Sequence, residues 1–232
     1  MYTLHIANKN YSSWSLRPWA LLRELKIPFT ENLIPFHRQA EWAAYRRIAP
    51  NGKVPCLVDG DITVWESLAI VEYLAERHAG VWSEANDARA WSRSACAEMH
   101  AGFSALRSCC SMSCGIRVQL HTLPAALTAD LGRISALWND GLEHFGGPFL
   151  AGSAFTAVDA FFAPVIFRIQ TYGLTLDAAA MGYVTRMLKL ECMRAWYADA
   201  LRETWRDLSH EAETAPFGKV LQDLRAPADA SR

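Results

Sequence analysis

Positive charge is not in surplus in this sequence, whose formal net charge is −1, and that excludes the basic footprint by which a protein holds a nucleic acid or an anionic membrane. No apolar run reaches transmembrane length, and Met1-Tyr2-Thr3 opens into a polar-interrupted strand where a signal peptide would be basic and then apolar; a cytoplasmic protein is the expectation. Metal-ligand spacing is missing as well. Cys96, Cys109, Cys110 and Cys114, four of six cysteines, match neither a zinc ribbon nor a Cys-x-x-Cys redox pair, and are expected as small buried thiols without chemistry. The seven histidines include no His-Glu-x-x-His or comparable pair, so no metal site is expected. There are no internal repeats.

What the sequence does have is enough apolar material, 51% of 232 residues, to bury substantial cores in one or two domains. Its most informative run is Asn51 to Ser67. Val54-Pro55 places a proline after a β-branched residue and before the strand-like Cys56-Leu-Val-Asp59, where a cis peptide bond leaves the Val54 amide and carbonyl facing outward. An extended ligand can pair with that backbone as an added strand. Asp59-Gly60 reads as a tight turn between Cys56–Val58 and Ile62–Trp65. After Glu66 the period becomes helical, with Ser67, Ile70, Val71 and Leu74 on one face, so Ser67 stands at a helix N-terminus that favours a carboxylate. Together these features describe a receptor for a small acidic peptide.

The string Gly-Lys-Val-Pro-Cys-Leu-Val-Asp-Gly followed by Trp-Glu-Ser-Leu-Ala-Ile-Val-Glu-Tyr-Leu resembles the glutathione site of the glutathione S-transferase superfamily. The resemblance implies that Val54 pairs with the cysteinyl backbone of glutathione and that Glu66 and Ser67 bind its γ-glutamyl end. It also implies that Lys53 meets the glycine carboxylate, whereas the lysine taken alone reads equally well as a solvated loop residue.

A second constellation lies upstream. Tyr2-Thr-Leu-His-Ile-Ala7 alternates like a first strand, and Tyr11-Ser-Ser-Trp-Ser-Leu-Arg-Pro-Trp19 leads into a helix through Leu21, Leu22 and Leu25. A thiol is nucleophilic only as thiolate, which a hydrogen bond and the positive end of a helix favour. Ser12, Ser13 and Ser15 compete for this role, and each is equally suited to be the N-cap. The order Ser-Ser-Trp-Ser-Leu-Arg is similar to the Ser-Ser-Cys-Ser-Trp-Arg signature of zeta-class transferases, which include maleylacetoacetate isomerases, and bacterial zeta-like members are the nearest match. By that resemblance Ser12 and Ser13 take the catalytic positions, while Trp14 stands in place of the signature cysteine and sets a bulky indole at the lip of the site.

Beyond a linker at 78–86 the pattern is helical. Ala88 to about Arg117 reads as one long helix and Pro124 to about Phe145 as another, with Gly146-Gly147-Pro148 as a breaker. Thr156 and Asp159 form a capping box, so Asp159 is read as a folding device rather than a catalyst. Further helices are expected around Ala178–Cys192 and Met193–Leu208, and a disordered tail from Ala226.

The expected architecture is a thioredoxin-like α/β domain over residues 1–80, an all-helical domain over 87–225 and a tail over 226–232. The resemblance implies a homodimeric enzyme that takes glutathione as co-substrate, activates its thiol, and directs it at a small electrophile. It puts the electrophile pocket between the domains, walled by the Tyr11–Trp14 loop and the helix from Glu98 to Arg107, with His100 and Arg107 as candidates for an acidic substrate or a partner subunit. The alternatives are a glutathione-dependent isomerase and a non-catalytic scaffold that keeps only the fold.

Overall fold

A computed structural model describes residues 1–36 and 45–228. Alternating inward residues start the chain: β1 (Tyr2–Ile6) buries Leu4 and Ile6 completely. The helix α1 (Ser13–Glu24) follows, then β2 (Phe29–Leu33), β3 (Cys56–Asp59), β4 (Ile62–Trp65) and α2 (Ser67–Ala75). The strands form one sheet in the order β2-β1-β3-β4, with β2 parallel to β1 and the other pairs antiparallel. This is the expected thioredoxin-like arrangement. Asp59 faces Ile62 across the hairpin, and Gly60 takes φ 60, a value glycine adopts without steric cost.

The second domain comprises α3 (Asn86–Ala101), α4 (Ser104–Cys109), β5 (Ile116–Leu120), α5 (Ala125–His144), α6 (Ala157–Tyr172), α7 (Ala178–Lys189), α8 (Glu191–Arg202), α9 (Leu208–Thr214) and β6 (Gly218–Asp223). At its centre, α6 is buried on almost every side and packs against α1 of the first domain, so one hydrophobic core runs through both. The capping box at its start is formed. Asp159 accepts hydrogen bonds from the Thr156 amide (2.9 Å), the Leu150 amide (3.0 Å) and the Tyr183 hydroxyl (2.9 Å).

Two expectations change. The long helix over 88–117 is broken: Gly102 is extended, Phe103 takes a left-handed φ of 59, and Arg107 donates to the Gly102 carbonyl (3.0 Å) and the Met99 carbonyl at the frayed end of α3. Apolar Leu106, Cys109 and Cys110 carry the helical period past this break, which is why it was hidden. The helical domain also contains a two-stranded antiparallel sheet, β5 with β6, in which a Cβ at Gly218 would lie 2.6 Å from Val118 Cγ1. At the start of the expected tail the Ala226 amide donates to the Leu201 carbonyl at 2.7 Å; residues 229–232 lie outside those described.

Candidate functional site

The loop between β1 and α1 is held from both domains. Lys9, nearly inaccessible, pairs with Glu31 (2.8 Å) and Asp199 (2.7 Å). Glu203 accepts from the Lys9 and Asn10 amides at 2.6 and 3.1 Å, and the Trp196 indole N–H donates to the Lys9 carbonyl at 2.8 Å. Loops carry function when a rigid frame positions them. Here the frame delivers Ser12 to the mouth of α1, where it occupies the N-cap position without capping through its side chain. Its hydroxyl instead donates to Ser15 Oγ at 2.7 Å, and both side chains are buried.

On the other wall the Val54-Pro55 bond is cis, as the sequence allowed, and the Val54 backbone makes no hydrogen bond among the described residues. Asn51 ties this loop to the helix mouth: its Nδ2 donates to Glu66 Oε1 and its Oδ1 accepts from the Lys53 amide, each at 3.0 Å. Glu66 has φ 68 and ψ 128, a conformation disfavoured for any residue with a Cβ by about 1–3 kcal/mol. Such outliers cluster at ligand clamps.

Lys53, Val54 and Glu66 line one cavity of about 250 Å³, together with Trp14, Asn51, Pro55 and His100. A second cavity of about 170 Å³ is lined by Ser12, Ser13 and Trp14 from the loop, by Arg107 and Met112, and by Arg168 and His210. Val54 and Trp14 belong to both, so the two spaces adjoin. The structure therefore assembles five of the six candidate residues around one compound cleft. Ser67 differs: its side chain is fully buried beneath the wall and accepts from Arg17 Nη1 at 3.4 Å, leaving the amides at the start of α2 as the groups nearest a ligand.

Trp14 has the Arg17 guanidinium 4.1 Å from its ring centre, Arg107 at 4.9 Å, and His100 edge-on at 5.1 Å. Burial and then the Arg17 charge hold His100 below the ordinary histidine range. The Tyr11 phenol is also committed, donating to Glu211, and burial followed by that bond raises its pKa. Glu98, expected on the electrophile wall, turns away to pair with Arg133 at 2.7 Å. The six cysteines are all buried, and among the described residues no group of three or more acidic, cysteine or histidine side chains is arranged to hold a metal ion.

Sequence reasoning missed Met112, Arg168, His210 and Glu213, which reach the second cavity from segments far along the chain. One signal was visible: Arg168 is the single charged residue after Asp159 in an otherwise apolar helix.

The family of glutathione S-transferase N-terminal domains matches residues 11–77, and the family of C-terminal domains matches residues 89–199. The glutathione S-transferase-like protein OpS6 of Beauveria bassiana is 27% identical over 183 residues, 70% of this chain and 78% of that protein. The dichloromethane dehalogenase of Methylophilus leisingeri is 44% identical over 59 residues, a segment covering 24% of this chain and only 21% of the dehalogenase. Among solved structures, the theta class glutathione S-transferase from Xanthomonas axonopodis pv. citri with glutathione bound superposes with a TM-score of 0.62 at 22% identity, over 84% of this chain and 96% of that one. At that identity the likeness establishes the fold.

Proposed function

We propose, from the premise that this chain belongs to the glutathione S-transferase superfamily, that it binds glutathione in the larger cavity and activates its thiol against a small electrophile held in the smaller one. The observation that carries this reading is the buried Ser12–Ser15 hydroxyl pair, whose Ser12 lines the smaller cavity together with Val54 and Trp14, the two residues that this cavity shares with the larger one.

In this reading the Val54 amide and carbonyl pair with the cysteinyl backbone of glutathione as a short added strand. Lys53 faces the glycine carboxylate, while Glu66 and the leading amides of α2 take the γ-glutamyl end, the former through its ammonium and the latter through its carboxylate. The cysteinyl sulfur then comes to Ser12. Glutathione binding turns the hydroxyl pair round: Ser15 then donates to Ser12, which frees the Ser12 hydroxyl to donate to the sulfur, and the second hydroxyl strengthens the first by polarisation. A charged hydrogen bond of about 1.5–3 kcal/mol lowers the thiol pKa by roughly one to two units. Ser13, first residue of α1, adds the positive end of the helix. The thiolate forms a bond to the electrophilic carbon, the bond from that carbon to its leaving group breaks with the electron pair departing on that group, and the thiol proton leaves to solvent.

Trp14, standing where zeta-class members carry cysteine, removes the side-chain thiol of that class, so transfer to an electrophile is favoured over isomerisation. A glutathione-dependent isomerase would use the same thiolate and is separated by product analysis. We further read the protein as a cytoplasmic homodimer, a point that light scattering checks directly.

The test is a calorimetric titration with glutathione, read together with the ultraviolet absorbance of bound thiolate. Saturation in the millimolar range or below, with thiolate visible at neutral pH, is expected. A protein that leaves glutathione unbound would be the non-catalytic scaffold instead.

A further inference from the structure

Arg17, Arg107 and Arg168 gather behind Trp14, and no carboxylate lies in ion-pair reach of any of them among the described residues. Arg17 is completely inaccessible and Arg168 is 4% exposed. Arg168 Nε donates to the Cys110 carbonyl at 2.7 Å, but its Nη1 is buried without a partner. Burial, and then mutual repulsion through Arg107, hold Arg17 and Arg168 below the usual guanidinium range, Arg168 at about 10, which still leaves it charged at neutral pH. Asp130, the acidic group acting on Arg107, is engaged by the Leu106 amide at 2.9 Å.

Burying cationic groups without a counter-ion is costly, and the cost is relieved when a ligand brings the negative charge. Two of these arginines, 107 and 168, line the second cavity, with Ser12, Ser13 and Ser111 as neutral donors beside them. The acidic residue in that lining, Glu213, is exposed to solvent, where its charge is screened. A cavity of about 150 Å³ takes benzene, so this one, at about 170 Å³, admits a single small substituted ring.

We propose that the second cavity selects electrophiles that carry a carboxylate, with the guanidinium groups of Arg168 and Arg107, two lining residues without a carboxylate partner, as the recognition pair. The proposal rests on the glutathione reading above. A planar oxyanion suits the fork of a guanidinium and would supply the negative charge that neither arginine has beside it.

A matched pair of probes tests it: 4-chloro-3-nitrobenzoate and 4-chloro-3-nitrobenzamide. In both, the glutathione sulfur bonds to the chlorine-bearing carbon, the carbon–chlorine bond breaks, and chloride leaves. After division by the uncatalysed rates, kcat/KM is expected to favour the benzoate by about tenfold or more. Arg168→Gln, and separately Arg107→Gln on a different helix, should bring that ratio to within about threefold of unity while glutathione affinity and the bound thiol pKa stay as in the wild type. Affinity of the wild type for the two finished conjugates provides a second measure that needs no variant to fold, and the acid conjugate should again bind about tenfold tighter. A wild-type protein that binds glutathione yet treats the two probes alike would overturn the proposal. So would an Arg168→Gln protein in which the preference persists and the thiol pKa rises, since the guanidinium would then serve the thiolate. Failure of glutathione to bind at all is a separate result, which removes the reading on which the proposal rests.

Discussion

Ser12 Oγ lies 2.7 Å from Ser15 Oγ, and Ser15 Oγ also accepts from the Ala7 amide at 3.4 Å, so the end of β1, the loop and the first turn of α1 are joined through two hydroxyls. This couples the candidate catalytic group to the frame of the sheet.

Ser12→Ala is therefore expected to lower kcat/KM by roughly 10- to 100-fold and to raise the bound thiol pKa by about one to two units. Glutathione affinity should change less than about threefold. Ser15→Ala should show the same signature weakened, because it removes only the polarising partner. A fully active Ser12→Ala protein would transfer the role to Ser13 or to a backbone amide.

At Glu66 the backbone and the side chain pull apart. Glu66→Gly removes the Cβ that makes φ 68 unfavourable, so unfolding free energy by urea titration should hold steady or rise by about 1 kcal/mol. Glu66→Ala keeps that strain and should be no more stable than the wild type. Both should weaken glutathione binding, by about five- to tenfold for an exposed charged contact.

Asp159 makes stability depend on pH. Burial pushes its carboxyl up to about 6 against the four hydrogen bonds that favour the anion. The folded state thus holds a proton that the unfolded chain has released, and stability contributed by this group is present below pH 4 and is lost as pH rises through about 6. The expected loss between pH 4 and pH 7 is of order 3 kcal/mol. Asp159→Asn should lack this slope when urea midpoints are compared at several pH values.

The C-terminal segment closes over the second cavity through one buried arginine. Arg225 Nη2 bonds Glu211 at 2.9 Å and Asp223 at 2.7 Å, while its Nη1 reaches the Tyr11 hydroxyl at 3.0 Å. Arg225→Met removes the cation from the partly exposed Glu211 and the half-exposed Asp223 and should raise amide exchange across α9 and β6, with a cost of about 1 kcal/mol after solvent screening. Because Ser12 is untouched, the bound thiol pKa should not move.

Much of the wall of the larger cavity was legible because its devices are local. A β-branched residue before proline, an Asp-Gly turn and a change of period from two to helical each act within a few residues, and Val54, Lys53 and Glu66 line one cavity. The capping box was legible for the same reason. The break at Gly102 was not, since the carbonyls that end α3 are satisfied by Arg107 from the next helix while apolar residues continue the period.

By itself, then, the sequence determined the two-part architecture and the local backbone that shapes the wall of the larger cavity, through backbone preferences that need no distant partner. Tertiary structure alone decided that Ser67 turns inward beneath Arg17, that β6 returns to pair with β5, and that Arg168 comes from the core helix to the cavity lined by Ser12 with its Nη1 unpartnered. Those outcomes depend on which buried groups find hydrogen-bonding partners across long separations in the chain, and periodicity carries no record of that.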